Sequence, residues 1–424
     1  MEKQKIKKLI IKAVTVTFVC MYSVSLFAQS VWPSKTWDSA VNISSIFPST
    51  VAELSGMYWN AYSNRLYCVA DEGVLYVLSL NKTTNAFTLV KSVGKLDGPE
   101  GVTQVNNQLN EFYTIDENTY EIRRYTHNAD FSTVTKANYW YLLQSPSPMT
   151  DTGNTGPEGI AFVPDSYLSK IGFLSSVTGK VYTSTKGMGG LIFIAHQDGG
   201  YVWVFDINPT TSNDFLYVGK YKTNRDESCD LTFDQSTGLL YILHNTGNNY
   251  LELTNLKTTV MSGEYKLTTS KEYNIPNPAS GSTNIEGFAI TPKYPDSSNV
   301  NAWLCRDVKS TSSDQSDCIR WFYPFTADGT DIRTDVFDLK SQGSDAFSIS
   351  PNPATVTLTI KSLNESTTDC KYEIYSSVGQ LIMRSKINGF PANVDIRNLQ
   401  NGIYFVKVSS EKMLKTVKTI IKTN

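Results

Sequence analysis

Gly98-Pro99-Glu100-Gly101-Val102 and, one turn later, Phe112-Tyr113-Thr114-Ile115-Asp116-Glu117 form a two-part unit. An acidic, glycine-bearing turn enters an apolar strand, and an aromatic strand ending on charged residues answers it. The unit recurs on either side. Upstream, Glu53-Leu54-Ser55-Gly56-Met57-Tyr58-Trp59 is answered by Arg65-Leu66-Tyr67-Cys68-Val69-Ala70-Asp71-Glu72. Downstream, Gly156-Pro157-Glu158-Gly159-Ile160-Ala161-Phe162 pairs with Leu191-Ile192-Phe193-Ile194-Ala195-His196-Gln197, and Glu227-Ser228-Cys229-Asp230-Leu231-Thr232-Phe233 with Leu239-Leu240-Tyr241-Ile242-Leu243-His244-Asn245. The fifth copy is Ile285-Glu286-Gly287-Phe288-Ala289-Ile290 with Ala302-Trp303-Leu304-Cys305-Arg306-Asp307. Successive turns at Gly56, Gly101, Gly159, Leu231 and Gly287 lie 45, 58, 72 and 56 residues apart, a range that suits four-stranded blades with loop insertions.

Third strands follow most copies, as in Val74-Leu75-Tyr76-Val77-Leu78-Ser79-Leu80, and long amphipathic helical patterns are missing. The expectation is an all-β chain: a β-propeller over residues 31–342, followed by a small antiparallel β-sandwich. Five repeats are visible and six blades are predicted, the sixth assembled from the segment before Glu53 and strands within 320–339. Strands from both ends closing one ring hide the sheet edges. An array of β-sandwiches is the competing architecture.

In such a blade the first strand lines the channel and the second runs back beside it, so first-strand starts and second-strand ends share one face of the ring. The starts supply Glu53, Glu100, Glu158, Asp230 and Glu286, and the ends supply Asp71, Asp116, His196, His244 and Arg306. The pattern has two readings. Each carboxylate accepts hydrogen bonds from backbone amides as a structural tie repeated with the blade, and the following glycine permits the turn. Alternatively, several carboxylates gather a hard cation such as Ca²⁺, which takes six to eight oxygens, or act as acid and base on a substrate. Under the second reading the five starts are metal ligands, Asp71, Asp116 and Arg306 face the ligand, and His196 and His244 move a proton. Crowded carboxylates repel one another, and a cation relieves that. No zinc-ligand spacing, nucleotide-binding glycine loop or nucleophile elbow is present.

Charge separates the chain into two parts. Residues 29–346 hold 23 basic and 34 acidic side chains, a net of −11, and residues 347–424 hold 10 and 5, a net of +5. The larger part is therefore a poor partner for nucleic acid and a fair one for a cation. Residues 1–28 combine Lys3, Lys5, Lys7, Lys8 and Lys12 with a short apolar run and end on Ala28, the pattern of a secretory signal peptide. No later stretch is long and apolar enough for a spanning helix, so the mature chain is expected to have no transmembrane segment. Among the cysteines left after processing, Cys305 and Cys318 are the best candidates for a disulfide; five buried thiols are the alternative.

From Phe347 the text becomes four short alternating runs with Gly379, Gly389 and Gly402 at the joints, which predicts an antiparallel β-sandwich over residues 347–424 after a linker at Gly343-Ser344. Ser350-Pro351-Asn352-Pro353, Tyr375-Ser376-Ser377-Val378-Gly379-Gln380, Leu399-Gln400-Asn401-Gly402-Ile403-Tyr404 and Lys418-Thr419-Ile420-Ile421-Lys422 follow one another in an order and spacing that resembles the type IX secretion system C-terminal sorting domain. That resemblance implies partners in the type IX secretion machinery and a sortase-like peptidase, with a secreted or outer cell-surface product.

The repeats carry a second resemblance. Leu54-Ser55-Gly56 with Val69-Ala70-Asp71-Glu72, and then Asp97-Gly98-Pro99-Glu100-Gly101, is similar to the SdiA-regulated propellers, and the recurring Glu-Gly strands are more distantly similar to phytase-like and esterase-like propellers. The latter resemblance implies Ca²⁺ in the channel and phosphoester cleavage, although the Lys and Arg cluster expected for such a substrate is not evident. The functional expectation is thus a secreted or surface propeller binding a ligand at an acidic, Ca²⁺-occupied mouth. The alternatives are a Ca²⁺-dependent phosphoesterase or esterase, and a structural adhesion propeller using loop aromatics such as Tyr139-Trp140-Tyr141.

Overall fold

The structure is a computed structural model that describes residues 29–47, 51, 53–294, 299–309, 311–332, 347–362, 370–376, 381–410 and 415–423. The expected signal peptide, the linker at Gly343-Ser344 and residues 333–339 lie outside the described residues.

Four strands build the first blade: β2 (Leu54–Asn60), β3 (Arg65–Ala70), β4 (Val74–Asn81) and β5 (Ala86–Val93), after a short β1 (Val41–Asn42). The second blade is β6 (Gly101–Thr103), β7 (Glu111–Asp116), β8 (Glu121–His127) and β9 (Val134–Tyr141). The third consists of β10 (Pro157–Pro164), β11 (Gly190–His196), β12 (Tyr201–Ile207) and β13 (Phe215–Lys222), with the helix α1 (Asp165–Ile171) inserted after its first strand. In the fourth, β14 (Asp230–Asp234), β15 (Leu239–His244), β16 (Tyr250–Met261) and β17 (Glu264–Asn274) reach across to the third through one parallel pairing, Lys222 with Lys266. The fifth contains β18 (Ile285–Ile290), β19 (Asn299–Arg306) and β20 (Ile319–Thr326), and β1 completes it by pairing Val41 with Trp321 and Asn42 with Arg320.

The ring therefore closes with five blades, and the expected sixth is corrected. The segment before Glu53 and the strand at Arg320 do join, as the two-ended closure required, but they finish the fifth blade as its third and fourth strands. The cores show the same count, because an apolar cluster fills each seam between neighbouring blades. Trp59 of the first blade stacks on Trp303 of the fifth at 4.9 Å. Phe112 of the second meets Tyr67 of the first, and Ile160 and Phe205 of the third share a cluster with Ile115 and Trp140 of the second. Leu240 and Ile242 of the fourth pack with Val163 and Phe193 of the third, and Leu251 of the fourth with Phe288 and Phe322 of the fifth, under the N-terminal Trp32 and Trp37. Apolar residues on the inner strands of each blade supply these seams from both sheet faces, each buried large side chain stabilising the fold by roughly 1.5–3 kcal/mol.

At the centre the first strands touch backbone to backbone. A Cβ added to Gly56 would lie 2.4 Å from the Glu100 carbonyl oxygen, one on Gly101 2.6 Å from that of Glu158, and one on Gly159 2.5 Å from the Asp230 Cα. Gly56, Gly101 and Gly159 thus allow close approach of the first strands around the ring.

The described residues between 347 and 423 form two packed antiparallel sheets over one apolar cluster that includes Phe347, Ile360, Ile374 and Val406. One sheet takes β21 (Phe347–Ser350), β22 (Thr357–Ser362) and, later in the chain, Ala392–Asp395; the other takes β23 (Cys370–Ser376) with Leu381–Ile387, Gly402–Ser410 and Lys415–Lys422. Among the described residues no helix is long and apolar enough to cross a membrane.

Candidate functional site at the channel mouth

Strand register decides which side chains meet at the mouth. In the first blade Leu54 pairs with Ala70 and Gly56 with Val69, which leaves Ser55 in a bulge. In the third, the two residues Glu158 and Gly159 face the single residue Ala195; in the fifth, Glu286 bulges between the pairs Ile285–Arg306 and Gly287–Cys305. The second and fourth blades pair Gly101 with Ile115 and Asp230 with Leu243. One ring position is thus Ser55, Glu100, Glu158, Cys229 and Glu286. The matching second-strand position is Asp71, Glu117, Gln197, Asn245 and Asp307, each one residue beyond Ala70, Asp116, His196, His244 and Arg306.

This register divides the residues expected from sequence. Glu100, Glu158, Glu286 and Asp71 come together, with Glu53 beside them, whereas Asp116, His196, His244, Arg306 and Asp230 belong to other contacts. Glu117, Asp307 and Asn245, which the sequence reading passed over, take places at the mouth.

Burial is the largest influence on the carboxyls of Glu53, Glu100, Glu117, Glu158, Glu286 and Asp307, and neighbouring carboxyls add to it. Glu100, 7 % exposed, is held well above the ordinary range by burial and then by Asp71 and Glu286, with Ser55 opposing. Glu158, 6 % exposed, is raised by burial and then by Glu100, Glu286 and Glu117. Glu286 is raised by burial, then by Asp307, Glu117 and Glu53, while Asn284 opposes. Burial likewise raises Glu117, where the Gly156 N–H at 3.0 Å opposes, and Asp307, where Asn284 and Lys309 oppose. Glu53 is raised by burial, then by Asp307, Asp71 and Glu72. It also has a left-handed backbone, φ 54°, held by its N–H to the Val308 carbonyl and its own carbonyl to the Asp71 N–H. Carboxyls from four blades therefore face one another, and the exposed Lys309 is the cation that offsets Glu53 and Asp307.

Residues 348–423 match the family model described as the secretion system C-terminal sorting domain. The chain is exported. Its destination is the cell surface or the medium, and handling by type IX secretion machinery follows from the same domain. No curated protein matches the sequence. Among solved structures, the Saccharomyces cerevisiae Sqt1 crystal structure is similar at 9 % identity over 86 % of this chain and 83 % of that one, with a TM-score of 0.30. The crystal structure of a nidogen/laminin complex is similar at 13 % identity over 64 % of this chain and 84 % of that one, with a TM-score of 0.32. At these values the propeller assignment rests on the sheet order and seams of this exported chain itself.

The residues set back from the mouth tie the exported chain's blades together. Asp230 is 1 % exposed and accepts from Leu231 N and Phe288 N, both at 2.8 Å, joining the fourth blade to the fifth. Asp116 accepts from Arg123 Nη1 at 2.6 Å, and the same guanidinium reaches the Asp97 carbonyl. Arg306 donates to the carbonyls of Asp317, Ser280 and Ser282 and to Asp317 Oδ2, and so fixes two loops. His244 is fully buried; its Nδ1 contacts the Glu227 carbonyl at 2.5 Å and its Nε2 the Glu252 carboxylate at 3.0 Å. His196 lies between Tyr120 and Trp203 and is pushed down to about 4 by burial. Both imidazoles are thus placed in blade interiors.

Two smaller expectations are also corrected. All five described cysteines are free buried thiols, because Cys305 faces Ile319 across the sheet and points its Sγ at the Leu54 carbonyl. In Tyr139-Trp140-Tyr141, Trp140 is fully buried and donates to the Thr211 carbonyl, leaving Tyr139 as the exposed large apolar member.

Proposed function

We propose that this exported propeller is a binding module that takes a cation, with Ca²⁺ the best chemical fit, at its acidic mouth. The observation that carries the reading is Glu158. Its carboxyl is more than nine-tenths buried, receives no hydrogen bond from an N–H group among the described residues, and has another carboxyl, Glu117, as its hydrogen-bonding neighbour. A structural tie would instead show backbone donors, as Asp230 does. Burying carboxyls against carboxyls costs free energy unless protons or a cation relieve the repulsion. Above the ordinary carboxyl range a hard cation does so with oxygen ligands alone.

Calcium titration of the full chain by calorimetry, beside Glu100→Gln/Glu158→Gln, tests the proposal. Binding by the wild type that the double variant loses supports it. Equal binding by both, or by neither, refutes it.

A further inference from the structure

The loop that carries Asn245 to the mouth continues outward to a cavity of about 390 Å³, within the roughly 300–1,000 Å³ of small-molecule sites. Ser30 and Trp32 of the N-terminal segment line it, with Asn248 from the loop between β15 and β16, Asn274 at the end of β17, and Asn277 just beyond. Backbone bonds fix these walls. The Ser30 N–H donates to the Glu272 carbonyl at 2.8 Å, Ser30 pairs in parallel with Tyr273, and the Ile275 N–H donates to the Asn249 carbonyl at 2.9 Å.

The asparagines form a directional ladder. Asn249 Nδ2 donates to the Thr283 carbonyl and to Asn277 Oδ1, each at 2.7 Å. A carbonyl only accepts, so the nitrogen of Asn249 must face it, and every later amide is then oriented in turn. Asn277 Nδ2 donates to Asn248 Oδ1 at 2.8 Å, and Asn248 Nδ2 to Asn274 Oδ1 at 3.4 Å. The ladder ends at the exposed Asn274, whose Nδ2 has no partner among the described residues. A second donor on the wall is also unpaired. Trp32 is 6 % exposed, its indole packs edge-on against Tyr273, Phe322 and Phe325, and its Nε1–H is buried without an acceptor.

We propose that this cavity binds an uncharged sugar residue, such as the terminal hexose of a glycan. None of its lining side chains is charged, so an ionic ligand would enter without a counter-charge. Val31, Trp32, Ile275 and Pro276 supply apolar surface for the C–H face of a sugar ring. Its hydroxyls accept from the Trp32 and Asn274 N–H groups and donate to the remaining lone pairs of the amide oxygens. A ladder that served only to tie two loops would end on an acceptor, whereas this one ends on a donor at the cavity wall. Recognition of a peptide by strand pairing is disfavoured, because Ser30 already occupies the β17 edge at Glu272 and Tyr273. The inference is independent of the cation reading of the mouth.

The test is saturation-transfer NMR on the full chain in chelator, which keeps the result separate from calcium. The probes are the methyl glycosides of glucose, galactose, mannose and N-acetylglucosamine, with glucuronate as the charged counterpart and trialanine as the peptide. Saturation of at least one neutral glycoside is expected. Its affinity should fall about fivefold or more in Trp32→Phe, which keeps a ring but removes the N–H, and in Asn274→Ala. Asn154→Ala, an exposed amide outside the cavity, should leave it unchanged. If Trp32→Phe fails to fold, Asn277→Ala, which cuts the ladder at an exposed residue, is expected to give the same loss. Three results overturn the proposal: no neutral glycoside bound by the wild type, equal binding by the cavity variants, or preference for glucuronate or trialanine.

Discussion

The carboxyl of Asp71 in the first blade lies against that of Glu100 in the second, and together with burial it holds Glu100 well above the ordinary carboxyl range. The relationship follows from the register: a second-strand end meets the next blade's first-strand start across the seam. It repeats between Glu117 and Glu158.

A pH dependence follows. Glu100, Glu158 and Glu286 all titrate above their ordinary value of 4.5 in the folded chain. The folded state then binds more protons than the unfolded one above that pH, so stability is fully present below it and is lost as pH rises through the folded values. Melting curves from pH 4.5 to 8.5 in chelator should fall with pH for the wild type. Glu100→Gln/Glu158→Gln should flatten that fall and raise the midpoint at pH 8 by about 2 °C or more. A lower midpoint with an unchanged slope would mean that the glutamates are structural ties.

Gly101 tests the close contact of first strands. A methyl group there would meet the Glu158 carbonyl at 2.6 Å and the Ile160 nitrogen at 2.9 Å, both backbone atoms that cannot swing aside. Gly101→Ala should destabilise the fold by about 3 kcal/mol in urea titration. Gly94→Ala, which meets nothing within 4 Å, should leave stability unchanged.

Arg123 holds the turn that presents Glu100. Its guanidinium is 2 % exposed and bonds Asp116, Glu121, Thr119 and the Asp97 carbonyl. Arg123→Ala leaves Asp116 buried and unpaired, at a cost of about 3–5 kcal/mol. Arg123→Lys should recover only part of this, because an ammonium cannot make the same fork of contacts.

His244 separates a tie from a proton carrier. Its two ring nitrogens contact Glu227 and Glu252 inside the fourth blade. His244→Ala should lower stability by about 3 kcal/mol and shift calcium affinity by no more than about twofold. Unchanged stability with altered binding would instead place His244 in the working site.

Much of this architecture is legible in the repeated turn. Glu100, Glu158 and Glu286 announce themselves because the following glycine is required where first strands touch, so the spacing of Glu-Gly pairs reveals the blades. The blade number was not legible, since β1 is two residues long and too short to carry an alternating pattern. Nor was the full mouth. Residue likeness aligned Asp71 with Asp116, but the bulge at Ser55 and the pairing of Gly101 with Ile115 align it with Glu117. A bulge changes which face a side chain takes without leaving a mark in the sequence. Asn245 and Asp307 were hidden by the more conspicuous His244 and Arg306 before them, and the period-two alternation of a strand was the one signal that could have found them.

The most direct measurement is anomalous diffraction from crystals of the full chain grown with terbium as a calcium substitute. The account predicts one strong peak inside the mouth, bounded by Glu100, Glu158, Glu286 and Asp307. Peaks confined to exposed carboxylates such as Asp151, with none among the mouth residues, would contradict it.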